Sequence, residues 1–227
     1  LPIPKEGKLT HKSEVTDIFD KGKGALIVIK TSTYDDDRNE LVRNTMKAFI
    51  RGAGGWGGDR GPGGELNVPP ERAPDVVTEQ ATSAGQALLY RLMGDNNPLH
   101  VDPGFAKAFG FERPILHGLC TYGFGVRHVI NAFAGGDPRY LKNVHVRFAD
   151  SVLPGETVVT EMWKETDTRI IFRCKVKGRD AAVITHAAIE LFEELPKKVA
   201  KVVPQAVSAK PAEPASADVF TAIGAHI

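Results

Sequence analysis

The apolar positions divide the chain into a strand-like beginning, a helical middle and a strand-like end. Residues 8–53 read as strands. Ala25–Lys30 is a short, β-branched apolar run after Gly22 and Gly24, closed downstream by the acidic Asp35, Asp36 and Asp37, and Leu41–Ile50 is expected to pair with it. From 52 to 70 glycine and proline are too dense for helix or strand, which predicts a loop. Residues 73–133 look helical in pieces. Gln86–Met93 holds good helix formers and stops at Gly94, and Gly118–Phe133 is a long apolar segment without proline, expected to be a central buried helix. Between them, Asp95–Pro103 carries two prolines and two asparagines and reads as a rigid loop. From 139 the strand pattern returns, at Val144–Phe148, Thr157–Met162, Ile170–Val176 and Ala182–Phe192, with Pro154-Gly155 and Gly178-Arg-Asp180 as turns. A helix-rich segment followed by antiparallel-looking strands predicts an α+β fold, not alternating βαβ units.

Composition narrows the function classes. The chain has 227 residues, 42% hydrophobic and 25% charged, with 29 Lys+Arg against 28 Asp+Glu for a net charge of +1. That balance calls for neither nucleic acid nor an anionic membrane. No uncharged apolar run reaches the roughly 18–20 residues needed to span a bilayer. Two cysteines, Cys120 and Cys174, are too few for a disulfide-stapled secreted fold. After Leu195 the composition turns to Lys, Val, Ala, Pro and Ser, so 196–215 reads as a linker, and the mildly apolar 216–227 as the opening of a further domain. With Leu1 first and Ala225-His-Ile227 last, neither a leader nor a Ser-Lys-Leu type address is visible, and the chain reads as a piece of something longer.

Gly52, Gly54 and Gly57 formally match a dinucleotide fingerprint. That fingerprint needs a helix to begin at its third glycine, and Gly58-Asp-Arg-Gly-Pro62 forbids one, so the stretch is read as a structural or substrate-covering loop. His100, His117 and Cys120 lack the paired short spacings of a zinc site, so no metal is expected, and Cys120 reads as a small core residue of the helix after it.

The informative stretch is Tyr90-Arg-Leu-Met-Gly-Asp-Asn-Asn-Pro-Leu-His-Val-Asp-Pro103. Asp95 and His100 share a loop stiffened by Pro98 and Pro103. A carboxylate and an imidazole within reach of one water are what acid/base chemistry on water requires. The residues alone leave a second reading equally open, a capping loop in which Asp95 and Asn97 serve as turn residues, and Asp102 is assigned to capping the next helix. His117-Gly118 opens the long apolar helix, where unpaired backbone N–H groups and a missing side chain suit an oxyanion; a plain helix start explains the pair as well.

Taken together, these residues, followed by Pro114-Ile-Leu-His-Gly-Leu-Cys120, resemble the signature of the (R)-specific enoyl-CoA hydratases, hydratase 2, in the MaoC-like group. Lys142–Pro154, Thr160-Glu-Met-Trp-Lys164, Asp20–Gly24 and Gly52–Arg60 are similar to the hydratase domain of peroxisomal multifunctional enzymes of type 2. The resemblance covers about residues 1–195. It implies a double hot-dog fold, two antiparallel sheets each wrapped on a helix, with residues 1–72 the strands of a first half whose opening segment is missing and 73–195 the complete half carrying the motif. The tail from 216 resembles the start of a sterol-carrier-type domain. The implied reaction is reversible hydration of trans-2-enoyl-CoA to (3R)-3-hydroxyacyl-CoA in fatty-acid β-oxidation. Asp95 would be the base, His100 its partner, Asn97 a holder of the water and Gly118 N–H the oxyanion donor. Lys21, Asn96, Pro98, Leu99 and Phe148 would contact substrate. No cofactor is implied, since the thioester carbonyl of the substrate is the electron sink. A homodimer and a peroxisomal setting are implied too. The alternatives are a MaoC-like dehydratase acting on acyl carrier protein and a non-catalytic acyl-CoA carrier.

Overall fold

The computed structural model describes residues 3–4, 6–63, 66–179 and 182–196. The expected linker after its first residue, and the expected further domain at 216–227, lie outside the described residues.

Three long strands, β1 (Thr10–Asp20), β2 (Gly24–Tyr34) and β3 (Glu40–Arg51), form an antiparallel meander with β2 in the middle. The register sets Ile18 opposite Ile27 and Leu26 opposite Phe49. The acidic cluster makes the second turn: the Asp35 carboxylate accepts from the Asn39 backbone N–H at 2.8 Å and from its side-chain amide at 2.9 Å.

The second half is a five-stranded antiparallel sheet in the order β4-β6-β7-β8-β5, formed by β4 (Val76–Ala81), β5 (Leu141–Phe148), β6 (Thr157–Lys164), β7 (Arg169–Val176) and β8 (Ala182–Leu191). Helix α3 (Gly118–Phe133) packs against all five strands. Its buried residues, Cys120, Thr121, Phe124, Gly125, His128 and Val129, recur at four-residue spacing, so one stripe of the helix faces the sheet. Val158, Thr160 and Met162 on β6, and Ile170, Phe172, Cys174 and Val176 on β7, alternate inward to meet that stripe. Each fully buried Ile, Phe or Met contributes on the order of 1.5–3 kcal/mol. Trp163, Ile171 and Ala188 cluster separately, and the indole N–H of Trp163 donates to the Arg72 carbonyl at 2.9 Å.

The boundaries of α3 and of the last four strands agree closely with the sequence reading, and Cys120 is a buried residue of α3 as expected. One feature departs from it. Val76–Ala81, within the stretch read as helical pieces, is an edge strand paired with β6 and sets Thr78 opposite Thr160. Its six residues have β-branched side chains at 76–78, and pairing with a neighbour already in place outweighs the weak local preference. As expected, the described part of residues 1–72 is strand and loop, and the α-helices among the described residues all follow residue 85.

The helix-to-sheet contact is registered by buried polar groups. His128 bonds Gln80 Oε1 through Nε2 at 3.0 Å and Thr160 Oγ1 through Nδ1 at 2.8 Å. An amide oxygen only accepts, so Nε2 carries the hydrogen and Nδ1 accepts from the hydroxyl; one neutral tautomer satisfies both bonds. Burial pushes the neighbouring Cys174 thiol up to about 12, so it stays protonated in the core.

Candidate active site

Helix α1 (Gln86–Tyr90) tightens into a 3-10 turn over Arg91–Met93 and ends at Gly94, whose φ of 109° is open to glycine at little cost. The chain then doubles back on itself through local polar bonds. Asp95 Oδ1 accepts from Asn97 N–H at 3.3 Å, and Asn97 Oδ1 accepts from Leu99 N–H at 3.0 Å, capping a 3-10 turn over Pro98–His100. Asp102 Oδ1 accepts from the N–H groups of Gly104 and Phe105 at 2.7 and 3.0 Å and caps α2 (Pro103–Ala108). The capping assignment of Asp102 therefore agrees with the structure. Asn97 is a cap too: its oxygen accepts from Leu99 N–H, and its NH2 group and the second lone pair of that oxygen remain for contact with a water.

The acid/base candidates meet a third side chain. Donor atoms of Asp95, His100 and His117 all lie within 4.8 Å of one another, with Asp95 exposed and both histidines buried. Two hydrogen bonds of about 2.8 Å meeting at a water oxygen span about 4.6 Å, so one water fits between the carboxylate and an imidazole. His100 Nδ1 lies 2.8 Å from the Ile115 carbonyl and must donate to it, which leaves Nε2 with a free lone pair. His117 Nε2 donates to the Asp95 carbonyl at 3.2 Å. The His117 ring stacks on His100 at 3.7 Å between centroids and is met by Tyr90 at 4.8 Å from another direction. Burial, and then the charge of His100, hold the pKa of His117 below the ordinary histidine value. Two of the four imidazole nitrogens are spent on backbone carbonyls, and His117 Nδ1 is sealed from solvent. The set is better suited to proton transfer than to holding a cation.

His117 is also the N-cap of α3, yet its side chain makes no capping bond. The first N–H groups of a helix have no partner within the helix, and here no side chain of the cap residue claims them. Gly118 is the first helical residue. A Cβ on it would meet Cδ1 and Cε1 of Phe148 at 3.3 Å, so the aromatic ring lies directly over this helix start. Gly118 and Phe148 line a cavity of about 370 Å³ with Phe111, Ile115, Thr121 and Val152. Asp95 and His100 do not line it, but Ile115, whose carbonyl holds His100, does. Asn96 and Pro98 are exposed beside Asp95, and Leu99 is partly buried.

Lys21 lies elsewhere, in the β1–β2 turn. Its ammonium donates to the carbonyls of Arg60 and Pro62 in the glycine-rich loop. That loop is built around Asp20, whose carboxylate accepts from the N–H groups of Gly22, Gly55 and Gly57, each at 2.8 Å. Those backbone bonds hold the Asp20 pKa below its ordinary value. The apparent dinucleotide fingerprint is thus an anion-binding nest filled by the chain's own carboxylate. Gly54 approaches the β1–β2 turn so closely that a Cβ would lie 2.6 Å from Gly24 backbone atoms.

The sequence reading brought Asp95, His100 and Gly118 forward and missed the placement of His117, Tyr90 and Asp20. An imidazole directly ahead of a helix start, where Ser, Thr, Asp or Asn is usual, is the one local signal for His117.

Comparisons with known proteins identify the relatives of this chain. Residues 65–187 match the MaoC like domain family, and residues 1–52 match the MFE-2 hydratase 2 N-terminal domain. A Dictyostelium discoideum protein named "Probable enoyl-CoA hydratase 2" is 46% identical over 198 residues, which cover 86% of this chain and 67% of that protein. The peroxisomal multifunctional enzyme type 2 of Mus musculus is 46% identical over 193 residues, covering 84% of this chain but 26% of the mouse enzyme. The solved full-length peroxisomal multifunctional enzyme type 2 of Drosophila melanogaster superposes with a TM-score of 0.76 at 43% identity, over 84% of this chain and 35% of that one. The chain thus spans about two thirds of the first of these relatives and about a quarter to a third of the multifunctional ones. A MaoC-like match over the half that holds the Asp95 loop, a hydratase 2 match over the first strands, and a hot-dog fold shared with these relatives place the chain in the MaoC-like family, among its hydratase 2 members.

Proposed function

We propose that this chain catalyses the reversible hydration of trans-2-enoyl-CoA to (3R)-3-hydroxyacyl-CoA, as a hydro-lyase of fatty-acid β-oxidation. The observation that carries the reading is the placing of the Asp95 carboxylate and the His100 imidazole within one water's span, with the tautomer of His100 fixed by Ile115. Hydration places the water oxygen on C3 and a proton on C2. Asp95 and His100 Nε2 can each accept a hydrogen bond from the same water. As the oxygen bonds to C3, the pair takes one proton from it, and electrons move through the C2–C3 double bond onto the thioester carbonyl. The Gly118 N–H, at the positive end of α3, stabilises the enolate oxygen. The pair then returns its proton to C2, so the enzyme ends as it began. The thioester carbonyl is the electron sink, and neither metal nor cofactor enters the scheme.

Lys21 and Phe148 are proposed to contact the coenzyme A thioester, Phe148 from its place over Gly118. A homodimer is proposed as well. Leu88, Leu89, Leu92 and Met93, all exposed immediately before Asp95, form the apolar surface a second copy would cover. The names of the mouse and fly relatives support a peroxisomal setting for this chain.

The test is hydration of crotonyl-CoA and longer enoyl-CoA thioesters, followed by loss of the conjugated thioester absorbance and chiral analysis of the product. Formation of the 3R product supports the reading. Turnover confined to acyl carrier protein thioesters would favour the dehydratase alternative, and acyl-CoA binding without turnover would favour a carrier.

A further inference from the structure

We infer that His117 is a positioning residue that sets the relative orientation of Asp95 and His100 while itself never touching substrate. The inference rests on the hydration reading above. Four observations converge on it. The His117 ring contacts Tyr90 and is stacked on His100 with an interplanar angle of 28°. Among the described residues the His100 ring has one hydrogen bond, at Nδ1, and a single bond leaves a ring free to swing about it. A flat partner removes that freedom and fixes where Nε2 points. The Nε2–H of His117 holds the backbone carbonyl of Asp95, so the same ring restrains the main chain that carries the carboxylate. The third observation is negative: although His117 occupies the N-cap of α3, its side chain does not cap. The fourth is that its residue is 1% exposed and Nδ1 is buried without a hydrogen-bond partner among the described residues.

Burying an unpartnered nitrogen costs free energy that a phenyl ring of similar shape would not incur. A residue needed for packing alone would be apolar here, and one needed for capping would be Ser, Thr, Asp or Asn. An imidazole supplies what neither does, a flat face for His100 together with a donor for Asp95. Burial keeps the ring neutral near pH 7, so it acts as a donor without competing as an acid. Because His117 directly precedes Gly118, the ring that touches both members of the acid/base pair is one peptide unit from the oxyanion donor.

Three variants of the full chain separate these roles. His117→Phe keeps a flat ring and loses the donor; His117→Gln keeps an N–H near the position of Nε2 and loses the ring; His117→Ala loses both. With crotonyl-CoA, kcat should fall on the order of 100-fold in His117→Ala, the scale expected for misplacement of reacting groups by about 1 Å. KM should stay within about threefold, as for an interaction that does not bind substrate. The other two variants should lie between His117→Ala and the wild type. Folded His117→Ala and His117→Phe, each with kcat within about twofold of wild type, would overturn the inference, as would a loss confined to KM. Long-range imidazole 15N spectra provide a readout independent of turnover. Wild type should show His117 as the Nε2–H tautomer and His100 as the Nδ1–H tautomer, and His117→Ala should keep Nδ1–H on His100 while shifting and broadening its ring resonances. A wild-type His117 protonated on Nδ1 would refute the inference even if no variant folded. Wild-type spectra as expected, in a protein that hydrates no enoyl thioester, would sink the functional reading instead.

Discussion

Phe148 lies over Gly118 so closely that a Cβ on the glycine would sit 3.3 Å from two ring carbons. The contact joins the end of β5 to the start of α3, two elements that meet only in the folded protein. Gly118→Ala should push the ring aside and crowd the N–H proposed to hold the enolate oxygen. We expect kcat/KM for crotonyl-CoA to fall about 10–100-fold, a loss of roughly 1.4–2.7 kcal/mol of transition-state stabilisation. Adding Phe148→Leu should recover part of it. Full activity of Gly118→Ala would remove Gly118 from the oxyanion site.

The acid/base assignment predicts a contrast among three polar residues of one loop. Asp95→Asn keeps size and hydrogen bonding but removes the base, and should lower kcat about 10²–10⁴-fold with little change in KM; His100→Ala should do likewise. Asp102→Asn, at the cap of α2, should change stability by about 1 kcal/mol at most and spare kcat. Loss of turnover in Asp102→Asn alone would reverse the roles of the carboxylates.

Two buried histidines predict an acid-sensitive fold. Burial lowers the pKa of both His117 and His128 below the ordinary 6.5, aided at His117 by His100 and at His128 by Arg127. Below pH 6.5 the unfolded chain therefore binds more protons than the folded one, and stability falls as the pH drops through 6.5 towards the folded-state values. Each histidine contributes a slope of up to about 1.4 kcal/mol per pH unit. Urea unfolding between pH 7.5 and 5.5 measures it. In His128→Gln the slope over that range should be shallower, and an unchanged slope would mean that His128 is not its source.

The glycine-rich loop is predicted to depend on Asp20. Asp20→Ala removes the acceptor for the N–H groups of Gly22, Gly55 and Gly57. Amide exchange at these three positions should quicken while that of α3 is unchanged. If the loop and Lys21 hold the coenzyme A portion of the substrate, KM should rise more than kcat falls. Equal loss of protection in α3 would show instead that the loop supports the whole fold.

What the sequence determined by itself is what short-range physics controls. Gly118–Phe133 was legible as a helix because one apolar stripe recurs along a proline-free segment, and β5–β8 because turn residues separate β-branched runs. The Asp95–His100 loop was legible for a similar reason: Pro98, Pro103 and the caps of Asn97 and Asp102 stiffen it through bonds to residues two or three positions away. Tertiary structure decided the rest. Strand β4 forms because β6 is beside it, with ladder partners from Val76–Met162 to Ala81–Thr157 lying 86 to 76 residues apart, a contact no local window contains. In β8, His186 adopts a φ of 50°, and the ladders to β5 and β7 slip there, so Ile184 and Ala187 both face the core although they are three residues apart. His117 was legible only as the residue that opens a helix until the fold stacked it on His100, and Asp20 only as part of the Asp20–Gly24 resemblance until the glycine loop closed on its carboxylate. Periodicity and capping act within a few residues and leave a trace in the sequence. A stacked ring or a bulge is chosen by atoms many residues away, and only the packed chain brings them together.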